Sequence, residues 1–112
     1  MSGYKEQLLN ILEQSYPQLA SQHTLTFKNS FGAVAGYVEE RIFCSCGNFG
    51  FALKLPEADR EKIFKSGGKP LKYFAKGHIK KEYVVLPQAL IADKKAMRAL
   101  IKKSIKYTSK IS

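Results

Sequence analysis

The stretch TLTFKNSFGAVAGYVEERIFCSCGNFGFALKL, residues 24–55, decides the fold. It opens with Leu25 and Phe27 alternating with Thr24, Thr26 and Lys28, the period of a half-buried strand. Gly32 and Gly36 interrupt the next stretch, which predicts a bulge or bend in one long strand. Glu39–Glu40 reads as a hairpin turn, and Arg41 to Cys46 as a second strand. Gly47–Asn48 marks the next turn. A third strand runs from Phe49 to Leu55, with Phe49, Phe51, Leu53 and Leu55 on one face.

Helical patterns flank this core. Upstream, Gly3 to Ala20 places Leu8, Ile11, Leu12, Ser15, Tyr16 and Leu19 on one helical face, and Pro17 predicts an end or kink near Ser15–Tyr16. Downstream, Pro56 opens a helix whose early acids (Glu57, Asp59, Glu61) and late lysines (Lys62, Lys65) suit the helix dipole. Gly67–Gly68 ends it. Pro70 to Ala75 and Ile79 to Leu86 read as two more strands joined at Lys76–Gly77. Asp93 is a good N-cap for a last helix reaching about Tyr107, with Met97, Leu100, Ile101, Ser104 and Ile105 on one face. The expected order is α-β-β-β-α-β-β-α. Antiparallel hairpins with helices on one face make a two-layer α+β sandwich. No repeat, linker or low-complexity run divides the chain, so residues 1–112 read as one domain.

The chain of 112 residues is 45% hydrophobic and 25% charged, a globular balance. Its net charge of +10 is lopsided: four basic and four acidic residues lie in residues 1–56, against 15 basic and five acidic from Glu57 onward. Such asymmetry marks either an anionic contact or a lysine-rich solvated surface. Cys44 and Cys46 point to the same face of one strand, at or beyond disulfide reach, and are expected to remain reduced thiols without zinc. With no signal-like N-terminus and no run of about 18 apolar residues, the expected compartment is a cytoplasm and no membrane partner is expected.

An ordered set of short motifs spans Leu25 to Ser104. Phe31–Gly32 follows a strand; Tyr37 precedes a turn and a strand bearing Phe43. Lys54–Leu55–Pro56 is followed by Asp59–Arg60, then Gly68 and Pro70. Tyr83 leads into Leu86–Pro87, and Asp93 starts the last helix. In this the chain resembles the TfoX N-terminal domain family, which includes the competence regulator also called Sxy. Ser30 stands where a methionine is usual, Ala33 replaces a second glycine, and the tryptophan common in the last helix is missing. The resemblance implies a fold similar to that of secretion chaperones, a bacterial regulatory role, and no catalytic residues to carry over.

Sharper chemistries fit poorly. Cys44, Cys46, His23 and His78 lack the paired spacing of structural zinc ligands. Ser66–Gly67–Gly68–Lys69 resembles a phosphate loop only superficially, because Pro70 follows and the glycines end a helix. No nucleophile motif surrounds a Ser or Cys. The expectation is therefore no catalytic residues, no metal and no cofactor. Two basic groups remain as a candidate nucleic-acid or anion surface. Lys72, Lys76, Lys80 and Lys81 lie near Tyr73, Phe74 and Tyr83; Lys95, Arg98, Lys102 and Lys106 recur at near-helical spacing.

These readings lead to a non-enzymatic binding or regulatory module acting through protein–protein contacts, linked to transcriptional or competence regulation. The alternative is an accessory nucleic-acid binder using the basic half. A sheet covered on one side leaves its other face partly open. With so many Phe and Tyr residues, that face is expected to be sticky, and a homodimer or protein partner to cover it.

Overall fold

The computed structural model describes residues 3–30, 32–72 and 79–111. Helix α1 (Tyr4–Ser15) and the single turn α2 (Leu19–Gln22) precede four strands: β1 (Leu25–Ser30), β2 (Ala33–Val38), β3 (Arg41–Gly47) and β4 (Gly50–Lys54). Next come helix α3 (Glu57–Lys65), strands β5 (Lys69–Leu71) and β6 (Lys80–Val85), the turn α4 (Gln88–Ile91) and helix α5 (Lys94–Ile111). The six strands form one antiparallel sheet in the order β1-β2-β3-β4-β6-β5.

The α+β reading holds, with six strands in place of five. The expected long first strand is a hairpin: Ser30 pairs with Ala33, and Gly32 adopts φ +78°, a conformation that costs glycine little. Pro17 does stop α1, at Ser15. Asp93 caps α5, its Oδ1 accepting from the Ala96 N–H at 3.1 Å. Gly67–Gly68 ends α3, with the Gly68 N–H donating to the Ile63 carbonyl at 2.8 Å. Helix α5 runs four residues beyond the expected Tyr107. The expected turn at Lys76–Gly77, like Tyr73, Phe74 and His78, lies outside the described residues.

Gly36 does mark a bulge, but the extra residue is on β3. Gly36 pairs with Cys44 and Tyr37 with Ile42, so Phe43 has no partner across the seam. Phe43 and Cys44 then both turn toward the helices, whereas Ile42 packs on the opposite face. A side chain on Gly36 would have its Cβ 2.6 Å from Cys44 Sγ, so this crossing needs glycine. The buried Ser104 hydroxyl donates to the Phe43 carbonyl at 3.1 Å, tying α5 to the bulge.

The helices share one face of the sheet. Leu8, Leu12, Tyr16 and Leu19 meet Met97 and Ile101 over Phe43, Cys44, Cys46, Phe51, Leu53 and Val84. The other face has a floor of small residues. Ala35, Ser45, Ala52 and Val85 lie side by side across β2, β3, β4 and β6. Leu71, Tyr83, Ile42 and Phe49 pack on this side. The alternation places Phe49 beside Phe51; instead it occupies the turn between Gly47 and Gly50 and joins the opposite face. That face is not the open, sticky surface expected. Ala35, Ser45 and Ala52 are fully buried, and Tyr83 is only 6% exposed. Among the described residues the exposed large apolar side chains are Phe64 and Ile79.

Candidate functional site

Three features of the molecule could carry chemistry: the thiol pair, the basic groups and the concavities between helices. The thiols are chemically quiet. Cys44 is fully buried, and desolvation pushes its thiol far above the ordinary value; Cys46 is pushed up to about 11 by the same cause. A thiol is nucleophilic as thiolate, so both are poor nucleophiles at neutral pH. Cys46 sits against Gln7 of α1, its Sγ 3.7 Å from Oε1. His23 pairs instead with Glu39, Nδ1 to Oε2 at 3.5 Å. Among the described residues no three His, Cys, Asp or Glu side chains are grouped to hold a metal ion. No described helix is long and apolar enough to cross a membrane.

The basic candidates fall into two separate groups. Lys72, Lys80 and Lys81 stand exposed on the β5–β6 ribbon at one end of the sheet; Lys76 lies outside the described residues. Tyr83, expected to offer a stacking ring there, is buried, with Lys54 Nζ 5.6 Å from its ring centre. Lys95, Arg98, Lys102 and Lys106 run along α5. Of these, Arg98 and Lys102 meet an aromatic ring. Both lie over the Tyr16 ring, at 5.1 and 5.5 Å from its centre, and Arg98 is half-buried. On the α3 side, Lys103 forms an ion pair with Asp59 at 2.8 Å.

Lys102 and Lys106 also line a pocket of about 250 Å³ between the end of α1, the β2–β3 hairpin and the second half of α5. Tyr16 is fixed there by its hydroxyl, which donates to Gln22 Oε1 at 2.6 Å. Val38 and Ile105 supply an apolar wall, and Arg41 adds a third cation. The hairpin turn places Glu39 and Glu40 at φ +51° and +67°, the left-handed region that suits the strand twist but not glutamate. Glu39 is held by two contacts with Thr24. Its N–H donates to the Thr24 carbonyl at 2.9 Å, and its Oε2 accepts from the Thr24 N–H at 3.1 Å. No sequence signal joined Arg41 to the α5 lysines, because only the hairpin brings them together.

A second, larger concavity of about 490 Å³ opens between α3, α4 and α5. Ile63, Leu90 and Leu100 form its apolar base. Ala89, Ala96 and Ala99 keep its walls low, and Asp59, Lys62 and Asp93 stand among its lining residues. It escapes a sequence reading because apolar residues from three separate elements, Ile63, Leu90 and Leu100, combine to make it.

Among known families, the model of the TfoX N-terminal domain matches residues 17–107, most of the chain. The chain belongs to the TfoX N-terminal domain family. The match brackets the motifs from Phe31–Gly32 to Asp93 and begins at Pro17, where α1 has just ended. No curated protein matches this TfoX N-terminal domain at a significant level.

Proposed function

We propose that this TfoX N-terminal domain is a non-catalytic regulatory module, working in a bacterial cytoplasm in transcriptional or competence control, that acts by binding a protein. The observation that carries the reading is the groove between α3, α4 and α5. Its apolar base with charged groups among the lining residues is the composition of a peptide-binding site rather than of a reaction centre. Alanines at 96 and 99, one helical turn apart, let the backbone of a docking segment come close. The occupant that fits is an amphipathic helix laying apolar side chains on Ile63, Leu90 and Leu100. The quiet thiols accord with a binding role.

The test compares capture of partners from the source cell by the wild-type chain, by Ala96→Arg/Ala99→Arg and by Lys95→Glu/Lys102→Glu/Lys106→Glu. A defined protein lost with the groove variant and kept with the lysine variant supports the reading, provided both variants melt as cooperatively as wild type. Loss with the lysine variant alone, together with nucleic acid in the captured fraction, supports the alternative of an accessory nucleic-acid binder. Light scattering that shows a dimer broken by the groove substitutions would identify a second copy as the occupant.

A further inference from the structure

We infer that the pocket between Tyr16, the β2–β3 hairpin and α5 binds a small organic anion: a carboxylate or phosphate head on an apolar body about the size of an aromatic ring. Three features converge on this chemistry. The first is charge. Lys102 and Lys106 line the pocket beside Arg41, and the one carboxylate among its described lining residues, Glu39, is already engaged by the Thr24 N–H and His23. The second is size. About 250 Å³ is too small for a drug-like molecule or a docked helix, yet roughly 150 Å³ suffices for a benzene ring, so a ring with a charged head fits. The third is the wall. Val38, Ile105 and the Tyr16 ring offer apolar contact, which a bare inorganic ion cannot use.

Lys102 is also held in place rather than waving in water. Lys102 is drawn over the Tyr16 ring, and Tyr16 is itself locked by Gln22. Less side-chain freedom then remains to be lost on binding. The hydroxyls of Thr108 and Ser109 donate to the backbone carbonyls of Ile105 and Lys106, at 3.1 and 2.8 Å. They are therefore not donors for the anion, and recognition of the head falls to Lys102 and Lys106, with Arg41 beside them. The site does not depend on the helix groove and stands or falls separately from it.

The experiment is a titration of the isotopically labelled full chain, followed by backbone amide shifts. Phenyl phosphate and N-acetyl-phenylalanine are the anionic probes. N-acetyl-phenylalaninamide supplies the same body without charge, and inorganic phosphate the head without the body. Either anionic probe should bind in the millimolar range or tighter, with shifts centred on Tyr16, Val38, Arg41 and Ile105. The neutral amide and inorganic phosphate should bind at least tenfold more weakly, and the ratio of the two anionic probes identifies the preferred head. Lys102→Glu/Lys106→Glu should weaken binding tenfold or more, and Lys65→Glu/Lys69→Glu should leave it unchanged. Equal binding of the neutral amide, or shifts spread over every lysine-bearing surface, overturns the proposal. So does affinity that appears only with long single-stranded oligonucleotides and grows with their length. The wild-type shift map decides even where a variant fails to fold.

Discussion

At the β2–β3 seam, Gly36, Phe43, Cys44 and Ser104 interlock with no room for one more methyl group. At the β5–β6 ribbon, Lys69, Pro70, Lys72 and Lys81 stand in solvent around a buried anchor, Leu71. Both seams carry a break in register, between Gly36 and Tyr37 in one and between Lys69 and Leu71 in the other. The difference is what lies above. Helix α5 covers the first break and takes up the Phe43 carbonyl with a serine, so the irregularity becomes rigid. The second has no helix cap of this kind described over it, and exposed lysines surround it. The same kind of defect is thus a keystone in one place and a tolerated looseness in the other.

The largest expected effect comes from filling the tight seam. Gly36→Ala should destabilise the fold by about 3 kcal/mol, the upper end for overpacking, measured by urea unfolding. Cys44→Ala in the same chain should recover part of that loss, because it removes the sulfur that the new methyl meets. A double variant as unstable as the sum of the singles would locate the strain elsewhere. Ser104→Ala comes next, at about 1–2 kcal/mol, since it strands a buried carbonyl. By contrast, charge reversal at Lys69, Lys72 or Lys81 should each change stability by no more than about 0.5 kcal/mol. A larger change would mean the ribbon is not the loose partner in the comparison.

The thiols sharpen the same contrast through pH. Burial raises Cys46 from the ordinary 9.0 to about 11, so the native state holds its proton after the unfolded chain has lost it. Stability is therefore fully present below pH 9 and falls as pH rises toward 11, with Cys44 acting in the same direction. Denaturant midpoints should decline over this window in the wild type, and decline less in Cys46→Ala. Modification of either thiol by an aromatic disulfide reagent at pH 8 should require unfolding; rapid reaction of the folded chain would show the seam to be open. The smallest effect belongs to the hairpin rim. Glu40→Gly should stabilise by about 0.5–1 kcal/mol, by relieving a left-handed glutamate, readable as a small rise in Tm.

Much of this architecture is legible in the sequence because it rests on local chemistry. The 3.6-residue pattern of Met97, Ile101 and Ser104 marks the buried face of α5, and Asp93 and Gly67–Gly68 mark helix ends through hydrogen bonding that short sequences encode. The long strand misleads because a glycine at position 32 suits a bend as well as a tight turn. A single strand over residues 24–38 would extend about 46 Å at 3.3 Å per residue, beyond the 37 Å longest dimension of the molecule. The bulge at Phe43 leaves only a faint mark: an unbroken apolar run, Ile42 to Cys44, where alternation asks for a polar residue between. The surfaces are least legible. Lysine spacing finds the α5 stripe, but the cation–ring contacts with Tyr16 and the meeting with Arg41 depend on residues more than 60 positions apart.

Strand β5 has one further consequence, for how the sheet can grow. It closes one side of the sheet with three residues, of which Pro70 has no N–H to offer a neighbour. On the other side β1 ends the sheet with six residues and no proline. An added strand, whether from a partner or from misassembly at high concentration, therefore finds a much longer template beside β1 than beside β5. Polymerisation by edge-to-edge pairing needs both edges of every copy. A chain with one blunted edge favours a single added strand over an open-ended stack.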